Sequence, residues 1–262
     1  MSLDDSWGEK DKDTRHLKAV AYHHEHTHSQ GKKKPRYTNG TVHVEVRLEL
    51  GARSYAYDWR LYLREKTVRR LHQQRAPEQR RRFRKKTMLA QDMLRELQRL
   101  LPPGFHVYVL FDSWYASNRL LTFCRRRDWH VICAIKSNRT LADKKLSQWP
   151  QALRHQRYQR VQLSATGGRQ RTSLVRTLQG KLTKLPFAVC VLISQRHHRD
   201  KHPKYFLCTD LSSYGSPIFK AVREKGSKAS SIPLRRSPKS PKCAVGEDAE
   251  RSNVDTSAAA PQ

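Results

Sequence analysis

The chain has 262 residues, of which 37% are hydrophobic, enough to build a real core. Its 53 Lys and Arg against 23 Asp and Glu give a formal charge of +30, which repels itself unless a polyanion neutralises it, so nucleic acid is the expected partner. No apolar run approaches the roughly 20 residues of a membrane-crossing helix, and no signal-peptide core stands at the start, so a membrane is not an expected partner and the cytoplasm is the expected compartment.

An acidic pair, Asp4-Asp5, follows Met1 to Leu3 directly, so any strand leading up to it is almost absent and Asp5 is expected just after a shortened first strand. His24, His26 and His28 alternate and would share one face of a strand, but no carboxylate or Cys completes a recognised metal spacing, and a basic loop leading into Gly31 to Lys34 is the stronger reading. Asn39-Gly40 reads as a turn. From Thr41 to Leu50, Val42, Val44, Val46 and Leu48 alternate with His43, Glu45, Arg47 and Glu49, the period of a half-buried strand. Gly51 to Arg53 turns the chain, and the aromatic-rich Ser54 to Leu63 returns as its hairpin partner.

Residues 64–86 are dominated by charge, including Arg80 to Arg82 and Arg84 to Lys86. Leu89, Met93, Leu97 and Leu100 then recur at near-helical spacing up to Pro102-Pro103-Gly104, predicting an amphipathic helix with a defined stop. Phe105 to Phe111 is a continuous apolar run, the pattern of a strand buried on both faces, and it ends in Asp112. Ser117-Asn118 caps a helix whose Leu120, Leu121 and Cys124 face inward, and Val131 to Ile135 forms the next strand, completing a βαβ unit. Short strand-like runs follow at 160–163, 173–178, 187–193 and 205–209. After about Lys225 the composition turns to Ser, Pro, Ala and charge, which cannot build a core and is expected to be disordered. The five cysteines show no C-x-x-C pair, and disulfides or a zinc site are not expected.

Cleavage of a DNA phosphodiester needs hard oxygen ligands for divalent cations, and a working site needs only a few acids from neighbouring elements. Asp5 and Asp112 are the acids placed for this, although a single Asp at a strand end is more often a cap or an ion-pair partner.

The segment Phe111-Asp112-Ser113-Trp114-Tyr115-Ala116-Ser117 resembles the second-Asp motif of DDE transposases from bacterial insertion sequences, and Ala134 to Arg139 is similar to the strand that follows it there. Leu3-Asp4-Asp5-Ser6 resembles the first-Asp motif. Lys34 to Gly40, Leu61 to Glu65 and Tyr205 to Ser212 resemble further stretches, so the likeness spans roughly residues 3–225. It implies an α/β fold with an RNase-H-like core, incomplete at both ends. The core would occupy 1–139, a β-rich insertion 140–212, and the remnant of a glutamate-bearing helix region 213–225, with 226–262 a disordered tail. It implies that Asp5 and Asp112 are catalytic and ligate Mg²⁺ or Mn²⁺, with Asp4 the alternative to Asp5. DNA, both transposon ends and target, would be the partner of a homodimer in a synaptic complex. In the family a helical glutamate closes the site. Here Ala229 falls at that position, and Glu224 would point about 140° away round a helix of ~3.6 residues per turn. A shifted reading frame would explain the change. The expectation is therefore a transposase chain that binds DNA but cuts it poorly. The alternatives are a non-catalytic basic DNA-binding protein that inhibits transposase, and a ribosome-associated RNA binder, which explains the charge but not the strand ending in Asp112. Neither Trp114 nor Tyr115 is assigned to DNA, packing being the stronger reading for both.

Overall fold

A computed structural model describes residues 1–11, 14, 17, 19–24, 37–51, 53–73, 75–164 and 170–211. His26, His28, Glu224, Ala229 and the whole region expected to be disordered lie outside these described residues.

The alternation at 41–50 becomes part of a long strand, β3 (Tyr37–Leu50), in which Val42, Val44 and Val46 are buried and their neighbours are not. It pairs antiparallel with β1 (Ser2–Glu9) along one edge. Its other edge takes β2 (Ala21–His24) and then β4 (Arg53–Tyr62), the latter across the expected turn at Gly51, whose φ is +59°. Asp4 and Asp5 therefore sit inside an eight-residue strand and not after a vestigial one. The Asn39-Gly40 turn is also not formed, because both residues belong to β3. Asn39 Nδ2 donates to the Asp11 carbonyl at 2.9 Å, and Gly40 packs against the Gly8 carbonyl and, at 3.0 Å from its would-be Cβ, the Trp7 ring. The glycine here allows two backbones to approach.

Within the charged stretch 64–86 lies a helix that the apolar pattern did not reveal, α1 (Glu65–Gln73), which buries only Thr67 and Val68. The predicted helix is α2 (Lys86–Leu100), with Ala90, Gln91, Met93, Leu94 and Leu97 inward; Leu100 is exposed. The apolar run yields β5 (Tyr108–Phe111), shorter than expected, with Phe105 exposed before it. Val109 and Phe111 enter the main core, while Leu110 joins Ile132, Val175, Cys190, Leu192 and Cys208 on the opposite face, so the strand is buried on both sides. Ser117 caps α3 (Asn118–Arg125) by accepting from the Leu120 amide at 3.3 Å, and Leu120, Leu121 and Cys124 are buried as the sequence predicts. β6 (His130–Ile135) then pairs parallel with β5.

The strand order β4-β3-β1-β5-β6, antiparallel up to β1 and parallel from there, with α2 and α3 against one face, is the mixed α/β arrangement of an RNase-H-like core. Beyond β6 the described residues add a small hairpin, β7 (Thr140–Leu141) with β8 (Lys144–Lys145). They then add β9 (Gln159–Ser164), β10 (Gln170–Lys181), β11 (Ala188–Gln195) and β12 (Lys204–Cys208). β12 pairs antiparallel with β6, and β11, β10 and β9 follow outward, so these strands extend the core sheet, which has ten strands among the described residues. Arg176 of β10 is buried, and its guanidinium donates to the carbonyls of Pro150 and Gln156 and stacks 3.6 Å from the Tyr158 ring. Cys124, Cys133, Cys190 and Cys208 are buried and are not in disulfides, and burial pushes the thiols of Cys124 and Cys208 up to about 12.

Candidate active site

β1 and β5 run parallel with Ser2 opposite Leu110 and Leu3 opposite Phe111. The next residues are Asp4 and Asp5 on one strand and Asp112 on the other, so the register alone brings the three acids to one edge of the sheet. Side chains alternate along β1. Asp5 pairs with Val44 and shares the face of buried Leu3, whereas Asp4 lies opposite Glu45 on the other side. The Asp4 carboxylate accepts from the Asp5 amide at 2.9 Å.

Asp112 is half-buried, and its Oδ1 accepts from the Trp114 amide at 2.9 Å, which closes the turn after β5. Burial raises its carboxyl above the usual carboxylate range; the Trp114 and Tyr115 amides oppose this, and the charges of Asp4 and Asp5 reinforce it. Asp5 forms an ion pair with Lys86, the first residue of α2, whose ammonium also stands 5.4 Å from the Tyr62 ring. A cation in the first turn of a helix is unfavourable to the helix dipole. That misfit is the sequence signal for Lys86, which sequence reasoning missed.

Tyr115 is 1% exposed and Trp114 62%, so the two adjacent aromatics divide, Tyr115 packing as expected and Trp114 not. The Tyr115 hydroxyl is directed at Asp5 without reaching ordinary hydrogen-bond geometry, and burial with the three nearby aspartates pushes its ionisation far up. The Lys136 ammonium lies over the Trp114 ring at 4.9 Å. His23 of β2, edge-on to Trp7 at 5.0 Å, is lowered to about 4 by burial and by the nearby charges of Arg64 and Lys86.

Asp210, the buried acid after β12, does not join this group. It accepts from the Tyr108 hydroxyl at 2.6 Å, at the end of β5 remote from Asp112. Among the described residues no group of three or more His, Cys, Asp or Glu is disposed to hold a metal ion. The donors present are hard carboxylate oxygens whose mutual repulsion a cation would relieve, and in that respect they suit a hard divalent cation.

Two aspartates are thus carried to one edge by adjacent parallel strands of an RNase-H-like sheet. The family model for DDE superfamily endonucleases matches residues 2–184, and the chain belongs to that family. The match includes both Asp5 and Asp112. No curated protein matches the chain.

Proposed function

We propose that the chain is the DNA-cleaving core of a bacterial insertion-sequence transposase, with Asp5 and Asp112 as metal-ligating catalytic residues and Asp4 the alternative to Asp5. The observation that supports this most is the β1–β5 register, which sets the acids side by side within the matched family region. Divalent cations, when bound, supply charge that stabilises the attacking and leaving oxygens of an in-line displacement. Asp5 and Asp112 would hold them. With a cation bound Lys86 would give up its pairing with Asp5, and buried Tyr115 would back the Asp5 carboxylate. Trp114 offers an exposed ring beside the scissile position for a base to stack on. The +30 charge holds DNA through phosphate neutralisation. The working unit on this proposal is a homodimer that synapses two transposon ends in the cytoplasm.

The same proposal holds that the chain binds DNA and cuts it poorly, because by its resemblance to the transposases Ala229 would fall where they carry a third carboxylate. A second reading, a basic DNA-binding protein that inhibits intact transposase, draws on the same residue. A gel shift combined with a Mg²⁺- or Mn²⁺-dependent plasmid-nicking assay tests both. DNA retention with weak nicking that Asp112→Ala abolishes supports the catalytic reading. Retention with no nicking by either protein supports the second. Rapid nicking that Asp112→Ala abolishes overturns the claim of poor cutting, and failure to retain DNA at low salt overturns both readings.

A further inference from the structure

Helices α2 and α3 both begin at the carboxylate edge: Lys86 opens α2 against Asp5, and Asn118 opens α3 one short turn after Asp112. From there they run along the same face of the sheet, and between their outer surfaces lies a cavity of about 480 Å³. Its walls carry Arg95, Arg119, Arg126 and Arg127, and Phe123 provides an aromatic surface between them.

Two of the four guanidiniums, those of Arg95 and Arg127, are held in place, and Arg119 and Arg126 are exposed. That of Arg127 lies 3.7 Å from the Phe123 ring, donates through Nε to Gln98 at 2.6 Å and through Nη1 to the Phe123 carbonyl at 3.0 Å. Arg95 approaches the same ring at 5.8 Å and is anchored to Asp92 at 2.9 Å. Among the described residues no carboxylate forms an ion pair with Arg119, Arg126 or Arg127. Burial, followed by the charges of Arg95 and Arg126, makes it harder for Arg127 to hold its own proton. Positive charge is thus concentrated in a concave place with little internal compensation, and a row of anions would relieve it.

We propose that the α2–α3 groove is a track for the sugar–phosphate backbone of the DNA leading away from the cleavage edge. The proposal rests on the DNA-cleaving reading above. The eight residues of α3 give a track of about 12 Å at ~1.5 Å per residue, which matches three to four nucleotides at ~3.4 Å each. Guanidiniums suit the purpose because their forked donors match phosphate oxygens. Arg95 and Arg127 shape the wall, and the exposed Arg119 and Arg126 make the contacts.

The test is the salt dependence of binding to a duplex oligonucleotide, followed by fluorescence anisotropy. It compares the full chain, the double variant Arg119→Gln/Arg126→Gln and a control, Arg80→Gln/Arg82→Gln, which removes equal charge from an exposed run elsewhere. Each phosphate contact contributes about 0.9 to the slope of log K against log salt. The groove variant is expected to lose roughly 2 from that slope, and the control less than 1. All four sites are exposed, so thermal melts should stay alike. Equal losses in the two variants, or an unchanged slope in the groove variant, overturn the track while leaving DNA binding intact. Absence of binding by the unaltered chain overturns the DNA-cleaving reading as well.

Discussion

Leu3 of β1 and Phe111 of β5 are register partners across a parallel strand pair, and both are buried in the same core. Their packing sets the depth at which Asp5 and Asp112 emerge. Phe111→Ala is therefore expected to cost about 3–5 kcal/mol, from lost burial and the cavity left behind. Urea denaturation measures it; a cost below about 1 kcal/mol would contradict a tightly packed β1–β5 contact.

Burial holds the Asp112 carboxyl above its ordinary range, with help from Asp4 and Asp5 and against the amides of Trp114 and Tyr115. The ionised group therefore weighs against the folded state. That burden is absent below the unfolded value of about 3.9 and complete once the pH has risen through the folded value. Asp112→Asn should accordingly be more stable than the unaltered protein at pH 7, with the gain shrinking toward zero below about pH 4. Denaturation curves at the two pH values give the comparison, and a less stable variant at pH 7 would show that burial does not penalise the ionised carboxyl.

His23 moves the other way, lowered from 6.5 to about 4 by burial and then by Arg64 and Lys86. The unfolded chain takes up a proton near pH 6.5 that the folded chain refuses until about 4. The stability this ring contributes is full above the unfolded value, declines as the pH falls, and is gone below the folded value. Because the ring is only half-buried, solvent screening reduces the effect. His23→Gln should flatten the pH dependence of the melting temperature between about 6.5 and 4, and an unaltered slope would mean that the ring titrates normally.

What the sequence discloses and what it hides follow a physical division. Strand β3 is legible because Val42, Val44 and Val46 alternate against polar neighbours; β5 is legible as an apolar run ending in an acid; and α3 is legible from its Ser117 cap. Helix α1 is hidden because it rests on Val68 and Thr67 alone, too little for a stripe to show. Gly40 misleads, since the dipeptide that makes tight turns also lets one strand lie close against another, and only the partner, Gly8, distinguishes the two. The pairing of β12 with β6 joins residues distant in sequence, and each run by itself declares a strand without naming its neighbour. At the site, Asp112 and the acidic pair were legible as chemistry, whereas the pairing of Lys86 with Asp5 and the alignment of Leu3 with Phe111 belong to the third dimension.

Trp114 and Tyr115, adjacent and chemically alike, should respond in opposite ways. Tyr115→Ala empties a buried site and should cost roughly 3–5 kcal/mol of stability, the range for large aromatics. Trp114→Ala removes an exposed ring and should change stability by less than about 0.5 kcal/mol. Stacking of a base on Trp114 would instead appear as a loss of about 1–3 kcal/mol in binding to single-stranded DNA, read by anisotropy. Unchanged DNA affinity would remove Trp114 from the proposed site.

The central claim is that Asp5 and Asp112 together hold a divalent cation, and the most direct test is Mn²⁺ binding, followed by loss of the free-ion paramagnetic resonance signal. The unaltered chain should take up Mn²⁺ saturably, and Asp5→Asn and Asp112→Asn should each weaken uptake by at least about tenfold, the loss of one charged ligand from a small donor set. Uptake that neither substitution disturbs, or none by the unaltered chain, would contradict the claim.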